Sequence, residues 1–116
     1  MTAGKLKLHS AHKLILRCNA MEINEFQQMM RQLYFKRDCE RGWEGTFNWL
    51  VDEVGELGEE LKKGTDRQAT EKEFADVIAW LASLANIMEI DLEKAAIGKY
   101  NYKCPKCQQT PCACTF

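Results

Sequence analysis

Histidine is nearly missing from this chain: there are two, His9 and His12, both near the N-terminus. A carboxylate-bridged di-iron bundle needs Glu-x-x-His pairs on its helices, so that class of metal site is excluded. Long apolar runs are missing as well. Nothing approaches the roughly 18 consecutive apolar residues of a membrane span. The run Leu14-Ile15-Leu16 is cut by Arg17, with no small-residue cleavage site behind it, which argues against a secretory leader. Cys18 follows Ile-Leu-Arg, a poor context for lipoprotein processing. Strand patterns are absent too. The expected location is the cytoplasm.

What remains is one small domain. At 116 residues, 46% hydrophobic and 28% charged, the chain suits an ordinary soluble core. A domain this short folds alone only narrowly, so a staple or a subunit interface would help it. The net charge of −1 hides an uneven distribution. Residues 1–20 hold Lys5, Lys7, Lys13 and Arg17 and no acid, and read as a mobile basic arm ahead of a second start at Met21. All 17 acids lie beyond it. An acidic body is a poor surface for nucleic acid, and no stable binding of that kind is expected. It suits cations, and through them something anionic.

Apolar periodicity predicts an all-α, antiparallel bundle of about four helices. The first runs from Ile23 to about Cys39 on Ile23, Phe26, Met29, Met30, Leu33 and Tyr34. The segment Arg41–Thr46, with two glycines, is expected to break it, with Thr46 capping the second helix. That helix buries Phe47, Leu50, Val51, Val54, Leu57 and Leu61 and stops at Gly64. A Thr70/Glu73 capping box should open the third, which carries Phe74, Val77, Ile78, Leu81, Leu84, Ala85 and Met88. Asp91 should cap a fourth, Leu92 to about Tyr102, with Ala95, Ala96 and Tyr100 facing inward. Cys104-Pro105 ends helical structure.

One pattern occurs twice. Glu53-Val54-Gly55-Glu56-Leu57 reads acid, apolar, small, acid, apolar, and Glu73-Phe74-Ala75-Asp76-Val77 repeats it on the next helix. Acids three apart are neighbours on one helix face. At about 100° per residue each pair edges its apolar stripe, so packing the stripes together brings four carboxylates to one seam. Glu60 extends that edge and Trp49 lies one turn before Glu53, while Asp52, Glu59 and Glu71 point elsewhere. Four convergent carboxylates repel unless protonated or neutralised by cations. Oxygen-only ligands suit magnesium or manganese, which keep positions open for phosphate oxygens. A single E-x-x-E is usually a solvated helix edge; two copies on successive helices are not readily explained that way. Gly55 and Gly58 each cost about 1 kcal/mol relative to alanine inside a helix, and close helix approach is the expected compensation.

With those residues in place, the sequence resembles the MazG-like all-alpha nucleoside triphosphate pyrophosphohydrolases. Their hallmark, E-E-x-x-E followed after a spacer by E-x-x-D, reads here as Asp52-Glu53-Val54-Gly55-Glu56 and Glu73-Phe74-Ala75-Asp76. Asp52 replaces the usual first glutamate. The resemblance covers residues 21–103 and also draws on Trp49-Leu50-Val51, Ile78-Ala79-Trp80-Leu81 and Glu89-Ile90-Asp91-Leu92. It implies magnesium ligands at Glu53, Glu56, Glu73 and Asp76, and hydrolysis of a nucleoside triphosphate to monophosphate and pyrophosphate by water attack at the α-phosphorus. Glu56 or Glu60 would take the water's proton. Lys36, Arg37, Lys99 and Lys103 are candidates to steady the phosphates, and Trp49 and Trp80 to stack on a base. It also implies a homodimer or homotetramer with the site near a subunit contact. Rival readings are phosphoribosyl-ATP pyrophosphohydrolase, a dUTP- or dCTP-selective relative, and a non-enzymatic zinc-containing interaction module.

The tail, residues 104–116, places Cys104, Cys107, Cys112 and Cys114 in the spacing C-x2-C-x4-C-x-C. Four thiolates so placed match a structural zinc site. Disulfides within such short rings are strained, which favours metal. Cys18 and Cys39 are left as ordinary thiols.

Overall fold

The computed structural model describes residues 20–115. Residues 1–19 of the basic arm, including Cys18 and both histidines, lie outside the described residues. Three helical elements follow in order: α1 (Ile23–Lys63), α2 (Arg67–Ile87) and α3 (Leu92–Tyr100). No strand occurs among the described residues. The all-α expectation holds; the count of four helices does not.

The expected first and second helices are joined. Only Gly42 leaves helical geometry, at φ 83 and ψ 169, so α1 kinks there without a separating loop. A glycine reaches that conformation at no steric cost, which is why one residue suffices where a turn was expected. Thr46 is not a cap. It lies fully buried inside α1, its hydroxyl donating to the Gly42 carbonyl at 2.8 Å.

The other boundaries follow from capping. Glu22 N–H donates to the Glu25 carboxylate at 3.1 Å where α1 begins. Gly64, in the left-handed region at φ 62, ends it as expected, with Lys62 and Lys63 in its last turn. The next helix starts earlier than Thr70, because Asp66 accepts the Ala69 amide at 3.1 Å and takes the cap itself. Asp91 does cap α3, accepting from Lys94 N–H at 3.0 Å. That helix ends at Tyr100, two residues before the expected Tyr102.

Helix α2 packs along α1, and α3 touches α1 far more sparingly. Small residues make the close approach: Ala82, Ser83, Ala85 and Asn86 of α2 are all buried. Beside them lies an amide network. Gln27 donates to Asn86 Oδ1 at 3.1 Å and to the Ile90 carbonyl at 2.7 Å, and accepts from Leu92 N–H at 3.0 Å. Asn86 donates back to the Gln27 carbonyl. Each buried amide is thereby satisfied, and the start of α3 is tied to α1.

Apolar burial, by contrast, is scant. Met30, Ala82 and Ala85 are the buried hydrophobic residues among those described. Phe47, Val51, Val54, Leu61, Phe74 and Ile78, expected in the stripes, remain between 43% and 56% exposed. Ala95, Ala96 and Tyr100 of α3 are exposed rather than inward-facing. The stripes exist, but two long elements and one short helix cannot cover every face of each other. Gly55 and Gly58 do not serve close packing within the chain either: a Cβ at either would meet nothing within 4 Å.

Candidate metal and nucleotide site

The α1–α2 seam brings the two acidic pairs together. One carboxylate oxygen from each of Glu53, Glu73 and Asp76 lies within 4.8 Å of the others. Glu56 lies close enough to perturb both Glu53 and Glu73, and Glu60 close enough to perturb Glu73. Glu53 Oε2 and Glu73 Oε2 are both buried without a hydrogen-bond partner. The other acids are occupied elsewhere: Glu59 pairs with Lys62 at 3.5 Å and Glu71 with Arg67 at 3.7 Å. Glu60 keeps a 3.4 Å contact to Lys63.

Crowding of like charge shows in the acidities. Burial, then the hydrogen bond and charge of Glu56, then the charges of Asp76 and Glu73, push the Glu53 carboxyl up to about 7. Burial and the charges of Glu56, Asp76 and Glu60 push Glu73 up as well. The cluster is short of positive charge, which a proton or a cation would supply.

A pH prediction follows. A carboxyl whose native pKa is raised holds its proton more tightly when folded, so it favours folding below its ordinary value of 4.5. That contribution is lost as pH climbs to about 7. Metal-free protein should therefore weaken across that window, and Mg²⁺, which displaces the proton, should restore it at the upper end. Melting curves with and without Mg²⁺ check this: the increment is expected to be much larger near pH ~8 than near pH ~5. Equal increments would contradict it.

Asp76 also opens onto a pocket of about 320 Å³ between α1 and α2, lined further by Tyr34, Arg37, Asp38, Arg41 and Trp80. Trp80 stacks on Trp49 with ring centres 5.5 Å apart and planes 11° from parallel. The Arg41 guanidinium sits 4.8 Å from the Trp80 ring centre. Of the cations suggested by sequence, only Arg37 lines this pocket; Lys36, Lys99 and Lys103 do not. Lys99 instead lies over the Tyr100 ring at 5.4 Å.

Asp38 and Arg41 were not singled out from the sequence. Arg41 donates to Asp38 Oδ1 and to Thr46 Oγ1, both at 3.0 Å, across the kink. The signal was present: Gln27, Met30, Tyr34, Asp38 and Arg41 recur at helical spacing, so the polar members share a face with apolar ones.

A model of the MazG nucleotide pyrophosphohydrolase domain matches residues 41–108, more than half of the chain, and takes in both acidic pairs. The chain belongs to the MazG nucleotide pyrophosphohydrolase family. No curated protein matches it. The MazG segment carries no helix long and apolar enough to cross a membrane, nor do the other described residues.

A second cluster closes the chain. The sulfurs of Cys104, Cys107, Cys112 and Cys114 all lie within 4.8 Å of one another. Cys104 and Cys114 are 3.7 Å apart, Cys107 and Cys112 3.9 Å. A tight turn holds the first pair, with Gln108 N–H donating to the Cys104 carbonyl at 2.8 Å. Backbone N–H groups of Ala113 and Gln109 hold the Cys107 thiol down at about 6, and those of Cys107 and Lys106 lower Cys104. Hydrogen bonding of the Cys114 thiol with Cys112, Cys104 and Cys107 pushes it up to about 11. Cys39 is a separate, exposed thiol.

Proposed function

We propose that this chain is a magnesium-dependent nucleoside triphosphate pyrophosphohydrolase, releasing monophosphate and pyrophosphate. The observation that carries the reading is the meeting of Glu53, Glu73 and Asp76 at one seam, with buried oxygens of Glu53 and Glu73 that lack a partner and with Asp76 also lining the pocket walled by Trp80. Glu53, Glu56, Glu73 and Asp76 are the residues that would hold Mg²⁺ or Mn²⁺. When bound, that ion neutralises phosphate charge and so lowers the cost of forming the transition state.

The chain's own groups do the rest. Glu56 or Glu60 takes a proton from a water that attacks the α-phosphorus; a new P–O bond forms as the bridge to the β-phosphate breaks, and pyrophosphate carries away the electron pair. Arg37, within the pocket lining, steadies phosphate charge. Trp80, held by Trp49, gives the pocket an apolar wall beside which a base fits. The site works within a homodimer or homotetramer, in the cytoplasm.

The test is a panel of ribo- and deoxynucleoside triphosphates and phosphoribosyl-ATP, run with and without Mg²⁺ in ¹⁸O-labelled water. Label in the monophosphate is expected. Label in pyrophosphate would contradict α-attack, and silence across the panel would favour a non-enzymatic module.

The four cysteines fit a structural zinc ion. Tetrahedral Zn–S bonds of about 2.3 Å set sulfurs roughly 3.8 Å apart, close to the 3.7 and 3.9 Å observed. Amide donors that lower two of the thiols favour the thiolate a metal requires. Zinc here pins the segment after α3 rather than taking part in hydrolysis. Metal analysis should find one zinc per chain, and Cys107→Ser should lose it and melt earlier. Purified protein with no zinc and with disulfides instead would remove the assignment.

A further inference from the structure

Asp38 is 1% exposed, and only half of its carboxylate is accounted for. Oδ1 accepts from Arg41 at 3.0 Å, whereas Oδ2 is buried with no partner. The arginine is itself built in place. It donates to Thr46, whose hydroxyl is anchored on the Gly42 carbonyl. Gly45 leaves room for its stem, since a Cβ there would stand 2.8 Å from Arg41 Cγ. Holding the kink uses Oδ1 alone. A buried carboxylate oxygen without a donor is unfavourable, and such groups in native proteins call for a missing partner.

Asp38 and Arg41 both line the pocket that begins at Asp76. Asp76, Trp80 and Ser83 follow one another along a single face of α2, so the pocket extends roughly 10 Å along the helix from the acidic end. Trp80, Asp38 and Arg41 line the same pocket as Asp76, so a base lodged beyond phosphates held at Asp76 lies beside the wall that holds Asp38.

We propose that Asp38 and Arg41 determine base specificity by reading the hydrogen-bonding edge of the nucleobase: Asp38 Oδ2 accepts from a ring or exocyclic N–H, and the Arg41 guanidinium faces the adjacent carbonyl or ring nitrogen. The inference rests on the pyrophosphohydrolase reading and adds to it the ligand chemistry. An unmodified base, which offers a donor beside an acceptor, is accepted. One whose edge N–H is missing or alkylated leaves Oδ2 unpaired and is rejected.

The experiment compares kcat/KM for the best unmodified triphosphate with that for its analogue lacking the edge donor. The analogue is the pyrimidin-2-one nucleotide for cytosine, the unsubstituted purine nucleotide for adenine, N1-methylguanine or N3-methyluracil. Wild-type protein is expected to prefer the unmodified base by about 10- to 150-fold, the contribution of a hydrogen bond to a charged group. In Asp38→Ala and in the isosteric Asp38→Asn the preference should shrink toward one. A wild-type ratio near one overturns the proposal without any variant. So does a ratio that survives Asp38→Ala while both rates fall together, which would mark Asp38 as a support for the kink only. Pyrophosphate release from the unmodified nucleotide reports separately on the underlying activity; its absence withdraws both.

Discussion

Glu56→Gln and Asp76→Asn are each expected to lower nucleotide turnover about 1000-fold or more, the scale of the several kcal/mol a metal contributes to phosphoryl transfer. Helical circular dichroism should stay nearly unchanged. The two expectations have the same origin. Both side chains are exposed and neither fills the interior, so removing a charge costs little packing. Removing it also relieves repulsion, since Glu56 and Asp76 both push the proton affinity of Glu53 and Glu73 upward. The variants should therefore be no less stable than the parent in metal-free buffer. What they lose is a ligand, and with it the hold on the triphosphate. Wild-type turnover in either variant, measured as pyrophosphate release, would remove the assigned site.

The native mass is expected to be a multiple of the 13.4 kDa chain. Val51, Val54 and Leu61 of α1 and Phe74, Ile78 and Leu81 of α2 are each at least 40% exposed. So many large apolar side chains exposed at helical spacing along both helices call for a partner. Val54 adjoins Glu53 and Phe74 adjoins Glu73 in sequence, so a second copy covering this face would sit beside the carboxylates. The double change Val54→Asp with Phe74→Asp forfeits about 1.5–3 kcal/mol of burial per side chain and adds the cost of desolvating charge. Association should weaken accordingly: the variant is expected as a monomer at micromolar concentration, with an association constant lower by about 100-fold or more. Light scattering coupled to size exclusion reads this directly. A wild-type chain that elutes as a monomer would contradict it.

Much of the fold was legible because its signals are local. The acidic repeat, the stop at Gly64 and the cap at Asp91 each depend on residues within one or two turns, and each lies where the pattern puts it. The failures are also local in cause. Two glycines within Arg41–Thr46 read as a turn, yet Gly42 alone absorbs the whole change of direction and the helix resumes. Thr70 and Glu73 form a plausible capping box, but Asp66 lies nearer the turn and takes the amide first. Burial was the less readable property. Periodicity identifies which face of a helix is apolar; it does not say whether that face meets its own chain or another copy. Phe47 and Val54 are therefore correctly grouped and wrongly placed inside.

At the site, the carboxylates were readable from spacing, whereas the pocket was not. Asp38 and Arg41 come from the half of α1 before the kink, and only the kink brings Arg41 near Trp80. Asp38 is buried there and Arg41 partly buried beside it. Lys36, Lys99 and Lys103 went the other way: basic residues near a helix end need not face the pocket, and these do not line it.

Titration of the protein with Mn²⁺, followed by the loss of the free-ion electron paramagnetic resonance signal, bears most directly on what the acidic seam is for. Saturable uptake near neutral pH is expected in the wild type, strengthened by a non-hydrolysable nucleoside triphosphate, and nearly abolished when Glu53, Glu73 and Asp76 are changed together to Gln, Gln and Asn. Equal uptake by the two proteins would mean that those carboxylates hold no cation.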